Sequence, residues 1–215
     1  MDCCDPDLYD DQFDDHEAER KVREYRTRGP NGWTARLVAE LSEGGVDGLT
    51  VIDIGAGVGA VHHALLASGA ASATDVDASS AYLKAARQEA ERLGVADRVT
   101  YRKGDAVRVV PELPPADLVA LDRVVCCYRD MDGLVRVAAD RTKRRLGLVL
   151  PRDQAWIRAV IAISNRWSAL TSDPFRVYAH RTNAVVDVAS AAGLTVRSLH
   201  RGLFWQTLVL ERSPD

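Results

Sequence analysis

Val51-Ile52-Asp53-Ile54-Gly55-Ala56-Gly57-Val58-Gly59-Ala60 decides how the rest of the chain is read. β-Branched apolar residues lead into an acid and three alternating glycines, and Val61 to Ser68 then reads as helix. That is a buried strand turning sharply into a helix. Glycine suits such a turn because a Cβ would block the backbone angles required and hold a ligand away from the main chain. Free amides and the positive helix end at that point favour an anion or a polar cofactor.

Two cofactors fit the turn by itself. Gly55-Ala56-Gly57-Val58-Gly59-Ala60 satisfies the dinucleotide fingerprint in its alanine-ended form, which points to a nicotinamide or flavin protein. Asp53, two residues before the first glycine, extends the run to D-x-G-x-G-x-G. In that form it resembles the first motif of the class I S-adenosylmethionine (SAM)-dependent methyltransferases. The resemblance implies that Gly55, Ala56, Gly57 and Gly59 lie against the methionine part of SAM. It also implies that Asp53 fixes the loop and meets the methionine amino group.

Downstream, a strand predicted at Ala71 to Val76 reaches Asp77, and one at Arg98 to Lys103 precedes Gly104-Asp105. An acid about 20 residues beyond the glycines suits two hydrogen bonds to a ribose diol, and Asp75 and Asp77 both qualify by position. Val-Asp-Ala-Ser-Ser-Ala-Tyr-Leu, residues 76–83, resembles the family's strand-end acid followed by a helix cap, which favours Asp77 with its neighbour Ala78. By the same resemblance Asp105 reaches the adenine amino group, with the Ala106 amide on a ring nitrogen. A fourth strand, Asp117 to Asp122, runs into the apolar segment Leu121-Asp122-Arg123-Val124-Val125-Cys126-Cys127-Tyr128. This segment is locally similar to the magnesium-protoporphyrin O-methyltransferase branch, whose fourth strand exits beside the transferable methyl group. Asp122 then joins the cofactor wall, and Tyr128 is a candidate to orient the acceptor.

Composition narrows the remaining choices. At 215 residues and 47% hydrophobic, the chain suits a single sizeable core. A net charge of −3 argues against a protein built around nucleic-acid phosphates. No apolar run approaches membrane-spanning length and the N-terminus is acidic, so neither a membrane nor a secretory signal is expected and the location reads as cytoplasmic. Cysteine occurs only as Cys3-Cys4 and Cys126-Cys127, neither a spaced disulfide framework nor a C-x-x-C knuckle, so the thiols read as reduced and no metal is expected.

Residues 1–48 read as an acidic N-terminal segment, with Tyr9 and Phe13 among its acids, followed by capping helices at Glu17 to Arg28 and Trp33 to Leu41. Residues 49–215 read as the cofactor-binding core, with a helical insertion at 153–181. Helix Met131 to Lys143 and strand Arg145 to Leu150 form another β-α-β unit. Asp153 is placed to cap a helix from Gln154 to Leu170, whose apolar residues are too many for one face against a sheet. They read mainly as core, with part of the stripe free to cover an apolar ligand. His180, in the linker that follows, is a candidate base beside Tyr128.

Thr182 is placed to cap the last helix. Leu194 to His200 and Leu203 to Leu210, joined at Arg201-Gly202, must pair antiparallel because the connection is so short. The whole is an α/β doubly wound, seven-stranded, mostly parallel Rossmann-like sheet closed by an antiparallel C-terminal hairpin strand. The hairpin fits a methyltransferase better than a dinucleotide-binding domain, which would need a further substrate domain. The expected function is SAM-dependent methyl transfer to an oxygen of a small-molecule acceptor. A nicotinamide-dependent reductase and a non-catalytic SAM-binding module are the alternatives.

Overall fold

In the structure, a computed structural model, residues 10, 12–170 and 175–213 are described. Cys3-Cys4, Tyr9, Asp11 and the linker positions 171–174 lie outside the described residues.

A seven-stranded sheet of order β3-β2-β1-β4-β5-β7-β6 forms the centre. Its strands are β1 (Thr50–Ile54), β2 (Ser72–Asp77), β3 (Val99–Lys103), β4 (Ala116–Asp122), β5 (Thr142–Pro151), β6 (Leu194–Arg201) and β7 (Trp205–Arg212). The first five pair in parallel, and β7 lies antiparallel between β5 and β6. This is the doubly wound sheet with an antiparallel hairpin that the strand spacing predicts. Strands buried on both faces need apolar residues at consecutive positions, and Asp-Leu-Val-Ala-Leu-Asp of β4 supplies them.

Alternation along the strands divides the core in two. On one face Ile52, Ile54, Val119, Leu121 and Leu148 pack beneath α5 (Ala106–Val109), α6 (Met131–Asp140) and α8 (Thr182–Ala191). On the other, Val51, Ala73, Leu118, Ala120 and Val149 meet α2 (Gly32–Ser42), α3 (Ala60–Ala67) and α4 (Ser80–Leu93). Gly147 marks the closest approach of α2 to the sheet. A Cβ there would sit 2.6 Å from Leu37 Cδ1 and 3.0 Å from Leu41 Cδ2.

Helix α1 (Asp15–Arg28) begins at Asp14, whose carboxylate accepts the Glu17 amide at 2.9 Å, and ends at Gly29 in a left-handed φ of 70°. Acids in its first turn and arginines in its last complement the helix dipole. It packs on α4 through Ala18, Tyr82 and Ala85. The fully buried Glu89 of α4 is clamped between Arg26 of α1 and Arg92, the latter at 2.9 Å. An unpaired buried carboxylate would be costly, so the clamp holds α1 in place.

Three local expectations are corrected. The helix from Met131 stops at Asp140 and not at Lys143, because Thr142 already pairs with Ala116 in the β4–β5 ladder. Asp153 does not cap the helix that follows it. Its carboxylate takes the Thr182 amide at 3.3 Å and the Thr182 hydroxyl at 3.4 Å, which fastens the start of α8 instead. Arg181, not Thr182, occupies the N-cap position of α8. In α7 (Ala155–Leu170) only Ile157 and Ile161 are buried, so most of its apolar residues are not core.

Gly147→Val should lower the unfolding free energy by about 1–3 kcal/mol, the usual cost of forcing extra methyl groups into a packed core. Urea denaturation measures this, and an unchanged midpoint would show that α2 has room to shift.

Candidate active site

A cavity of about 280 Å³ opens at the carboxyl ends of β1 to β4, where doubly wound sheets bind ligands. Its floor is the glycine turn. Gly55 has φ +63°, and a Cβ there would lie 2.6 Å from Val124 Cγ2 on the opposite wall. Only glycine lets the turn and the exit of β4 approach this closely. No heavy atom lies within 4 Å of a Cβ position at Gly57, so the turn is unobstructed on that side.

Asp77 stands at the end of β2 on the cavity wall. Its two oxygens accept the amides of Gly57 at 3.0 Å and Ser79 at 2.9 Å, which ties the glycine turn to the start of α4. Ser79 in turn caps α4 by accepting the Tyr82 amide. Burial pushes the Asp77 carboxyl up to about 6, partly offset by the amides of Ser79 and Gly57. Asp75, two residues earlier on the same strand face, is fully buried, lines no part of the cavity and finds no hydrogen-bond partner for either oxygen. Burial, with Asp77 and Asp53 nearby, raises it well above the usual carboxylate range.

Asp105 caps α5 by accepting the Val107 amide at 3.1 Å, and its Oδ1 also accepts the Tyr128 hydroxyl. Asp122, at the end of β4, accepts the Thr34 hydroxyl from α2 and Arg123 Nε at 3.1 Å. Arg123 itself has φ +63°, alone among the described non-glycine residues in being positive. Non-glycine residues are held there only when their surroundings compel it, and such positions gather at functional sites.

Of the positions singled out from sequence, Gly55, Ala56, Gly57, Asp77, Ala78, Asp105, Ala106, Asp122 and Tyr128 all line this one cavity. Asp53, Gly59 and His180 do not. Asp53 is fully buried beneath the turn, where one oxygen accepts both the amide of His62 at 3.2 Å and its ring Nδ1 at 2.9 Å. Gly59 starts α3 at φ +81°, where a Cβ would strike the rings of His62 and His63. His180 donates from Nε2 to the Tyr128 carbonyl at 2.8 Å, and burial lowers its basicity.

Other wall residues escaped the motif reading. Val58, Tyr82, Arg123, Val124 and Cys127 lie inside the quoted segments, but nothing in the residue pattern marks their side chains as facing a ligand. Phe13 and Lys21 arrive from the N-terminal region. Phe13 is held by its carbonyl, which accepts the Ser79 hydroxyl at 2.7 Å, and its ring lies 5.4 Å from Tyr82 and 5.6 Å from Phe175. The N-terminal segment thus meets the loop that follows residue 170 beside the cavity. Cys126 and Cys127 have their sulfurs 3.7 Å apart. Their hydrogen-bonded neighbourhood raises the first and lowers the second.

Residues 51–145 match the family described as a methyltransferase domain, Methyltransf_25. No curated protein matches the chain in sequence. Among solved structures, the chain is similar to magnesium protoporphyrin IX methyltransferase (ChlM) from Synechocystis PCC 6803 with bound SAH. The TM-score is 0.75 at 21% identity, over 97% of this chain and 99% of that one. The same enzyme with bound SAM gives 0.74 at 20% identity, over 99% and 98%. An O-methyltransferase family protein from Burkholderia thailandensis gives 0.69 at 21% identity, over 96% of this chain and 61% of that one. At these identities the likeness is one of fold. Residues 51–145 thus match a methyltransferase domain, and the chain shares the fold of these SAH- and SAM-bound methyltransferases.

Proposed function

We propose that the cavity at the strand ends binds SAM and a small-molecule acceptor together, and that the methyl group passes to an acceptor oxygen. The observation that carries this reading is the join between Asp77 and the glycine turn. One carboxylate holds the Gly57 amide and still faces the cavity, so ribose recognition and the shape of the turn depend on the same group.

In this reading Asp77 accepts the ribose hydroxyls, and Asp105 with the Ala106 amide takes the adenine. Gly55 to Gly57 lie along the methionine chain, and Asp122 closes the wall beside it. Asp53 acts from behind, holding His62 and hence the start of α3. When bound, SAM supplies an electrophilic methyl on a sulfonium. The protein's own work is to align the acceptor behind that methyl and to keep water out. Ile54, Val58, Val61, Val76 and Val124 give the cavity apolar surface suited to that exclusion.

The oxygen preference rests on the proton-accepting groups. The Tyr128 hydroxyl is engaged by Asp105, and the His180 ring by a backbone carbonyl. An acceptor that arrives ionised, such as a carboxylate, needs neither as a base. Arg123 and Lys21 on the wall supply positive charge toward such a group. Two of the solved neighbours named above, a porphyrin methyltransferase and an O-methyltransferase family protein, are compatible with this choice.

Calorimetric titration with S-adenosylhomocysteine and, separately, with NAD tests the cofactor. Binding of the first and not the second is expected, and the reverse would sink the reading. Asp77→Ala should weaken S-adenosylhomocysteine binding by at least about tenfold, since a hydrogen bond to a charged group is worth roughly 1.5–3 kcal/mol. Unchanged affinity would remove Asp77 from the ribose role.

Asp77 also sets a pH dependence with two opposite signs. Its folded value of about 6 lies above the ordinary 3.8, so the folded chain holds this proton more tightly. That contribution to stability is present in acid and is lost as the pH rises toward 6. Ligand hydroxyls need the ionised form, so affinity should fall below about pH 6, by no more than about tenfold per pH unit for one proton. Asp77→Asn should flatten the affinity profile, and a slope that survives in this variant would assign the dependence to another group.

A further inference from the structure

The apolar residues of α7 follow two different spacings. Ile157 and Ile161 face inward and are buried. Trp156, Val160, Ile163, Trp167 and Leu170 recur at steps of four, three, four and three, and are 44–76% exposed. This is the 3.5-residue repeat of a helix-pairing seam, set about a third of a turn around α7 from its own core contacts. No residue of α7 lines the cavity, so the seam is not the wall of the site described above.

We propose that this seam is a homodimer interface, in which α7 packs antiparallel against α7 of a second copy of the chain. Three observations favour a second copy over other occupants.

The first is area. Taking the usual size of large apolar side chains, the five residues present about 700 Å² to solvent, more than monomers commonly expose and close to the roughly 800 Å² per partner of a stable interface. Leu203, 79% exposed in the β6–β7 turn, adds to it next to Phe204, whose ring meets Trp156 at 6.3 Å.

The second is self-complementarity. Antiparallel helices pair each seam position with one of the other kind. A two-fold axis midway between Val160 and Ile163 sets Val160 against the second copy's Ile163, and Trp156 against its Trp167. Two small β-branched layers are then enclosed by two tryptophan layers, and the same patch serves both copies, as a closed two-fold interface requires.

The third is charge. The charged residues of α7 are Arg158 and Arg166. In the antiparallel register Arg158 falls opposite Asn165 and Arg166 opposite Ile157, so the arginines do not face each other. A parallel pair would set each arginine beside its own copy.

Sedimentation equilibrium of the full-length protein at micromolar concentration should give twice the 23.5 kDa of one chain. Ile163→Glu should return it to the single-chain mass while leaving circular dichroism and S-adenosylhomocysteine affinity unchanged. That second readout separates loss of the seam from failure of the fold or of the proposed cofactor site. Under mild oxidation Val160→Cys/Ile163→Cys should cross-link two chains well above the wild-type background, whereas Ile163→Cys alone should not. A single-chain mass for the wild type, or a dimer that survives Ile163→Glu, would overturn the proposal. Efficient cross-linking through Ile163→Cys alone would overturn the antiparallel arrangement. A monomer that co-sediments with vesicles of anionic and neutral phospholipid through the same residues would assign the seam to a lipid surface instead.

Discussion

The contact on which the rest of the molecule depends is the one between Asp53 and His62. Asp53 ends the apolar stretch of β1 and His62 lies in the first turn of α3, so their pairing spans the glycine turn from below. Both side chains are fully buried. Removing one partner leaves the other's buried polar group without its hydrogen bond, which commonly costs about 1–3 kcal/mol, more where the group is charged. The turn is therefore fixed from within the core, and its upper surface is left free. A loop that needed its ligand to hold its shape would first have to be ordered by it.

From that fixed turn the cavity is built outward by register. Asp53 pairs with Asp75 across β1 and β2, and two residues further Asp77 emerges at the strand end on the same face. One step in the ladder separates an acid sealed in the core from an acid on the cavity wall. Neighbouring parallel strands then deliver Asp105 and Asp122 to the same rim, each fastened by a different element: Tyr128 for the first, Thr34 and Arg123 for the second.

Much of this was legible in the sequence because it depends on short-range pattern. The glycine turn, the acid-tipped strands and the tight Arg201-Gly202 connection each signal their own geometry, and together they leave few sheet topologies open. The end of the helix from Met131 was not legible in the same way. Arg141, Thr142 and Lys143 do not mark a helix stop, and the pairing of Thr142 with Ala116 decides the matter from a distance. Asp153 was misread for a similar reason, since its partner Thr182 lies 29 residues away. Phe13 and Lys21 reach the cavity through the docking of the N-terminal region on α4, by the Glu89 clamp and the Ser79–Phe13 bond, contacts with no periodic signature. In α7 the apolar count was correct while its meaning was not. Burial belongs to Ile157 and Ile161, and spacing alone did not tell them from the exposed row beside them.

The burial of Asp77 has a consequence for how the empty protein behaves. Its carboxyl is held by two amides but poorly solvated, so burial makes it a weaker acid than usual. This is local frustration retained at a working position, the kind of conflict that natural chains tolerate where they act and remove elsewhere. A ligand that satisfies the ionised group relieves the conflict, so occupancy and folding become coupled quantities.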